Sequence, residues 1–451
     1  MSQPNRSFLL HSIRVCFHSL LHIILIGAAL VISASAQQPG PAPAKQLTLE
    51  DCVRLAESVP NSISLAQQER EIADRVVTQA RTGFLPQAEI LSGFVYNSPR
   101  LDDRSTFSFV PLNGIRQYTA LGAVTEELDT SGRLRAELQR ARANQQFARV
   151  SVEIARRDLR RTVAIAYYRL LLTRHLLTVI GDALKESRDF EQRTKLLFDH
   201  GESARADVVK ASAQSAFLQQ ALNGAEIEAK LANQDLAAFW TKEVDEPLAI
   251  VDSLEAPLPS PESATVTTPA NKLAPYLNRL EFSLFDAEKR GFEADAKIAR
   301  SALLPQFNFV YQYGLDSNSF RFRERGQAVY FNLRIPVFDW FRARDQSEQF
   351  KLRVAQVETN RVISERQFSR EYRNALTRVQ QLFSQIGLAR EQVRLAEEDL
   401  RLSRIRYEGG EGTLLDVVTA QNQLAQSRNN YFTSVANYLN AHADLEVASG
   451  K

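Results

Sequence analysis

The residues that recur at fixed spacing in this 451-residue chain are acids and glycines rather than nucleophiles. Gly201-Glu202, four residues, then Asp207-Val208-Val209, Ala211 and Gln214 recur with identical spacing as Gly410-Glu411, Asp416-Val417-Val418, Ala420 and Gln423. A glycine that ends one helix, followed by a carboxylate in the first turn of the next, suits capping chemistry. The carboxylate meets the unsatisfied N–H groups of a helix start, and Thr413 stands at the capping distance from Asp416. Motifs for catalysis are absent from the sequence: it has no glycine-rich phosphate loop, no His-Glu-x-x-His, no paired cysteines and no Gly-x-Ser-x-Gly. His175, His200 and His442 fall in separate helical stretches and suit surface or packing roles better than a metal site. The reading is of a protein that is not an enzyme, with no catalytic residue, cofactor or metal.

The elements that carry these motifs are themselves written twice. Ala80-Arg81-Thr82 and Leu85-Pro86-Gln87 return as Ala299-Arg300-Ser301 and Leu304-Pro305-Gln306, each copy ahead of a strand pattern. A repeat means one structural unit used in tandem. The stretch from Ser131 to Phe198 has no proline and one glycine, Gly181, and Phe341 to Tyr407 matches it with Gly387 alone. Each predicts a helix of roughly 100 Å at 1.5 Å per residue. Such a helix needs a partner along it. Leu376, Val379, Phe383, Ile386, Val393 and Leu400 have coiled-coil spacing, and proline-free helical patterns follow from Ala204 to Trp240 and from Thr413 to Val447. Each half therefore predicts a long antiparallel hairpin, with Gly201 or Gly410 left-handed at its tip.

Two alternating segments precede each hairpin. Phe307, Phe309, Tyr311 and Tyr313 alternate with Gln306, Asn308, Val310 and Gln312, and Val329, Phe331, Leu333 and Ile335 alternate with Tyr330, Asn332 and Arg334, which gives strands with one apolar and one mostly polar face. Ala88, Ile90, Phe94 and Tyr96, then Tyr118, Ala120, Gly122 and Val124, form a weaker version in the first half. The first half is ten residues longer between Pro86 and Gly201 than the second between Pro305 and Gly410, and the excess is assigned to a loop from Asn97 to Gly114. Thr241 to Pro275 holds six of the sixteen prolines and reads as a connector. The predicted organisation is a signal peptide at 1–36, a first repeat at 37–240, the connector at 241–275 and a second repeat at 276–451.

The signal rests on Arg6 and Arg14 without any acid, an apolar run from Leu20 to Ile32, and Ala34-Ser35-Ala36 before Gln37. Without those two arginines, 53 basic residues face 53 acidic ones, so no nucleic-acid partner is expected. The arginine-dense stretch from Arg133 to Arg161, interleaved with Glu137, Glu153 and Asp158, reads as an ion-paired solvated face. Cys52 is the only cysteine after the signal, which excludes an internal disulfide, and its context is not that of a lipoprotein signal. Beyond the signal no run of about 18 consecutive apolar residues occurs, so the choice lies between a soluble protein and a β-barrel. Export, strands of about ten residues and aromatic faces favour the barrel. Four strands cannot close, and unpaired edges in lipid are costly. The barrel reading therefore requires other copies of the chain.

Taken in order, the signal, the twofold strand-strand-hairpin plan, the two Leu-Pro-Gln motifs, Ile335-Pro336-Val337-Phe338-Asp339 and the segment from Tyr407 to Asp416 resemble the TolC family of outer membrane efflux proteins. The resemblance covers essentially the whole mature chain. It implies a mainly α protein with a membrane β-barrel: a homotrimer with a twelve-stranded barrel among outer-membrane lipids and a long periplasmic helical tunnel. It implies a passive export duct for a tripartite efflux pump or type I secretion system, docked by a periplasmic adaptor and energised by an inner-membrane transporter. The adaptor-docking and gating tip then corresponds to Gly201, Asp207, Val208, Tyr407, Gly410, Leu415, Asp416 and Val417. Three copies of Asp207 and Asp416 around an axis form a cation-attracting ring, and Tyr407 is placed to bond an acid such as Asp207. Gly412 and Thr419 depart from the family pattern, where a basic residue and a second acid often stand, which implies fewer ion pairs at the tip. The rival reading is a soluble periplasmic coiled-coil scaffold that binds a partner through its hairpin tips.

Overall fold

Uninterrupted helical sequence becomes uninterrupted helix. The computed structural model describes residues 46–98, 115–261 and 274–451, so the signal peptide, most of the Asn97–Gly114 loop and part of the connector lie outside the described residues. Eleven principal elements follow in chain order. The first half runs α1 (Leu49–Ser58), α2 (Ser62–Thr82), β1 (Gln87–Tyr96), β2 (Arg116–Leu128), α3 (Arg133–Asp199) and α4 (Arg205–Ala237). The second runs α5 (Glu281–Ser301), β3 (Gln306–Ser317), β4 (Arg325–Arg334), α6 (Arg342–Glu408) and α7 (Leu414–Ala448). Helices α3 and α6 are each 67 residues long, about 100 Å at 1.5 Å per residue. Each packs along the helix that follows it, α3 on α4 and α6 on α7, and α3 also contacts α1, α2, α5 and α7.

The four strands form one antiparallel sheet in the order β1-β2-β3-β4, so the hairpin of one half pairs with that of the other through β2 and β3. The register stacks like with like. Phe309 opposes Phe331, Phe307 opposes Leu333, and Phe94 opposes Tyr118 with ring centroids 5.0 Å apart. The other face is mixed: Val310 opposes Tyr330 and Leu91 opposes Leu121, while Asp316 accepts from Gln117 at 2.9 Å and Thr119 at 3.2 Å. Gly314 is required in β3, because a Cβ there stands 2.1 Å from the Ala120 carbonyl oxygen. Within one chain β1 and β4 are open edges, and every residue of β1 is exposed.

The core lies along the helices. Val163, Tyr167 and Leu170 of α3 meet Val379 and Ile386 of α6 and Val435, Tyr438 and Leu445 of α7. One window of α3 is apolar and long enough to cross a membrane by composition, and it supplies part of this core. The coiled-coil spacing read from α6 buries Val379, Ile386 and Leu400, but Phe383 remains 44% exposed and leans on Tyr438 at 5.5 Å. The described part of the connector has no α-helix or strand, only the start of a 3-10 turn at Pro275, yet it is pinned to the core. Tyr167 donates to Asp252 at 2.5 Å, Tyr438 donates to the Pro259 carbonyl, and Leu47 bridges Ile250.

Arg157, Arg279, Glu281 and Glu371 tie α3, α5 and α6 together. Arg279 bonds Glu371 at 2.6 Å and Glu281 at 2.7 Å, while Arg157 reaches Glu281 at 3.0 Å. Burial raises the Glu281 carboxyl, but the two guanidinium groups outweigh it and hold the pKa at about 2. Cys52 is fully buried, and burial pushes its thiol up to about 12, which leaves it unreactive.

Candidate functional site at the hairpin tips

Both tips end their long helix in the same way. Gly201 and Gly410 are left-handed, at φ +78° and +76°. Glu202 N–H reaches the Leu197 carbonyl at 2.8 Å and Gly201 N–H reaches Phe198 at 2.9 Å; Glu411 and Gly410 repeat these bonds to Arg406 at 2.9 Å and Tyr407 at 3.1 Å. This double bond pattern satisfies carbonyls that a helix end otherwise leaves bare. A Cβ on either glycine meets nothing within 4 Å, so the glycines are needed for backbone conformation alone.

The acids differ between the tips. In the second, Thr413 N–H donates to the Asp416 carboxylate at 2.9 Å, and Asp416 N–H donates to the Thr413 hydroxyl at 3.2 Å. The capping pair read from the sequence is present. The Thr413 backbone N–H, with its side chain, holds the Asp416 carboxyl below its ordinary value. In the first tip, Ala204 occupies the capping position and makes no side-chain cap, so half-buried Asp207 lacks the reciprocal bonds.

The remaining tip residues separate into surface and core. Leu415 is 60% exposed, whereas Val417 is fully buried with Leu414, Ala420 and Leu424 against Ala396 and Leu400. Val417 therefore packs the tip from within and presents no surface to dock, because its helix turns it toward α6. Val208 is half-buried. Tyr407 packs its ring on Phe190, centroids 5.3 Å apart, and among the described residues no hydrogen bond joins it to Asp207 within the chain.

Contacts between the hairpins lie just behind the tips, and sequence reading missed them. Arg193 bonds Glu408 at 3.1 Å, Arg404 bonds Glu186 at 3.2 Å, and Gln214 donates to Asn422 at 2.7 Å. Together with Phe190 on Tyr407 they clasp α3 and α4 to α6 and α7. Their only sequence signal is alternating charge on both long helices, which does not identify partners more than 200 residues apart. The repeat also hides an asymmetry. Ser212 donates to Glu191 at 2.7 Å, and that bond comes first in holding the carboxyl below its ordinary value. The matching pair in the second hairpin is Gln421 and Leu400, and Gln421, 6% exposed, has neither amide atom bonded among the described residues.

Comparison with known proteins gives a consistent picture. Residues 55–241 and 277–451 match the family model described as outer membrane efflux protein. A Nodulation protein T of Rhizobium leguminosarum bv. viciae is 22% identical over 391 residues, spanning 86% of this chain and 78% of that one. The outer membrane protein VceC of Vibrio cholerae superposes with a TM-score of 0.76 at 18% identity, over 89% of this chain and 96% of its own. The MtrE outer membrane channel of Neisseria gonorrhoeae, in its open state, gives 0.74 at 19% identity, over 89% and 88%.

Proposed function

The chain belongs to the outer membrane efflux protein family, and on that premise we propose that it is the passive duct through which an export system discharges across the outer membrane. Three copies join β4 of one to β1 of the next, and four strands from each make one barrel of twelve. The helical hairpins continue the barrel as a tunnel through the periplasm. A periplasmic adaptor docks on the tips around Gly201, Leu415 and Gly410, and an inner-membrane transporter supplies energy and selects cargo. Asp207 and Asp416 ring the tunnel end with negative charge, and the contacts behind the tips govern how far the hairpins part. Residues 1–36 direct export and are removed, and 37–240 and 276–451 are the two units joined by 241–275.

The observation that carries this reading is the sheet: one apolar face open to its surroundings and two edges unpaired within the chain. In water either feature is a liability for aggregation; in lipid, closed by its own copies, neither is. The test is the mass of the mature protein extracted by detergent from the outer-membrane fraction, by light scattering with the detergent subtracted. Three chains are expected. A monomer released by osmotic shock without detergent overturns the duct in favour of a periplasmic scaffold.

A further inference from the structure

The helical parts of the two halves correspond residue by residue. Helices α2 and α5 are each 21 residues long and α3 and α6 each 67, so Arg70 of α2 corresponds to Lys289 of α5, and Arg149 of α3 to Glu358 of α6. In the second half these places hold an ion pair: the Lys289 ammonium bonds the Glu358 carboxylate and ties α5 to α6. In the first half they hold two guanidinium groups. A base stands where the acid stood, and the cation across from it is kept.

Both arginines line one groove of about 500 Å³, whose walls include Asp74, Val150, Val152 and Leu280. Arg70 has no ion pair and no hydrogen bond among the described residues, although its Nε is shut off from solvent. A buried donor without an acceptor is costly. The acids nearby are engaged elsewhere. Asp74 accepts from the Gln145 amide at 2.6 Å and lies 4.0 Å from Arg149, at the outer limit of an ion pair, while Glu153 bonds Arg156 at 2.9 Å. The floor is apolar, with Val150 and Val152 buried and Leu280 half-buried.

We infer that this groove binds an organic carboxylate, its oxygens between Arg70 and Arg149, where the second half keeps the Glu358 carboxylate, and its apolar body over Val150, Val152 and Leu280. Guanidinium groups match a carboxylate through paired N–H to oxygen bonds, and the volume is that of a small-molecule site. An inorganic anion meets the two cations but leaves the apolar floor uncovered, which favours a carboxylate with an apolar body. Once bound, the ligand ties α2 to α3 as the Lys289–Glu358 pair ties α5 to α6. The site is built from α2, α3 and the start of α5 of one chain, so it stands or falls independently of the barrel and the duct.

The probe is 2-naphthoate, with 2-naphthylmethanol as its uncharged counterpart and inorganic phosphate as a small anion. Binding to the mature, detergent-solubilised protein is measured by titration calorimetry against a blank of detergent alone. Naphthoate is expected to bind at one site per chain, at least about tenfold more tightly than phosphate or the alcohol, and more weakly at high salt. Arg149→Glu supplies the chain's own carboxylate beside Arg70, as Glu358 does beside Lys289. It is expected to keep the wild-type circular dichroism and to weaken naphthoate on the order of tenfold or more. Wild-type affinity in Arg149→Glu, or no binding of naphthoate to wild type, overturns the site. Phosphate binding as tightly as naphthoate reduces it to an inorganic-anion site, and the alcohol binding as tightly reduces it to an apolar crevice; either result overturns the carboxylate. Should Arg149→Glu not accumulate, Arg70→Gln is read in its place, with the same loss expected.

Discussion

At the scale of single residues the tip acids do two separable things. Asp416 accepts the Thr413 N–H and also carries charge. Asp416→Asn keeps an oxygen for that bond and removes the charge; Asp416→Ala removes both. In planar bilayers Asp416→Asn, combined with Asp207→Asn, is expected to lower cation selectivity while leaving amide exchange in the first turn of α7 unchanged, and the alanine pair to alter both. Selectivity equal to wild type in the asparagine pair reduces these acids to caps. Gln421 carries a different prediction. Its amide is buried and has no hydrogen-bond partner among the described residues, and an unsatisfied buried polar group costs about 1–3 kcal/mol. Gln421→Met, of similar shape, is expected to raise the thermal midpoint of the detergent-solubilised protein. A fall in that midpoint shows that the amide has a partner in the assembled molecule.

At the scale of elements, the glycine at each tip and the ion cluster between helices decide whether long helices end and dock correctly. Open space surrounds the Gly410 Cβ position, so Gly410→Val is opposed by backbone conformation alone, at about 1–2 kcal/mol. Faster proteolytic nicking at the second tip is expected, with a milder effect for Gly410→Asn, whose side chain tolerates the left-handed region; equal resistance in all three disproves the argument. Glu281 lies at the α3-α5-α6 junction. Its folded pKa of about 2 lies below the ordinary 4.5, so its contribution is complete above about 4.5 and lost as pH falls toward 2. Glu281→Gln leaves Arg157 and Arg279 short of a partner, at about 3 kcal/mol near neutral pH. In thermal melts the gap from wild type is expected to close at acid pH; a gap independent of pH assigns the loss to packing.

This scale is also where the sequence was most legible. The long helices begin and end within two residues of the ends read from glycine and proline positions, and the strands follow their alternation. Partners across the fold were not legible. Most arginines from Arg133 to Arg161 are ion-paired as expected, but Arg157 is nearly buried rather than solvated, and Arg140, Arg157, Arg160 and Arg161 reach Asp295, Glu281, Glu50 and Asp444 on other elements. The left-handed Trp340 and Phe341 were hidden because their residue types argue against that conformation.

At the scale of the whole molecule, many weak contacts add up through symmetry. The Arg193–Glu408 and Arg404–Glu186 pairs are largely solvated, with side chains 36 to 69% exposed, so each is worth no more than about 0.5 kcal/mol. In the proposed trimer three copies hold six such pairs, and a concerted parting of the hairpins then faces about 3 kcal/mol, roughly a hundredfold in population. Glu408→Arg breaks one pair in each copy and sets two guanidinium groups against each other. Single-channel recording is expected to show open occupancy raised on the order of tenfold, and high salt to move wild type in the same direction by screening. Adding Arg193→Glu restores the pair with its signs exchanged and is expected to return occupancy to the wild-type level. Restoration by the double variant separates the pair from the mere loss of Glu408. If Glu408→Arg leaves occupancy unchanged, or the double variant fails to restore it, the clasp behind the tips does not govern their opening, and the apolar packing of Phe190, Leu400 and Val417 carries that role instead.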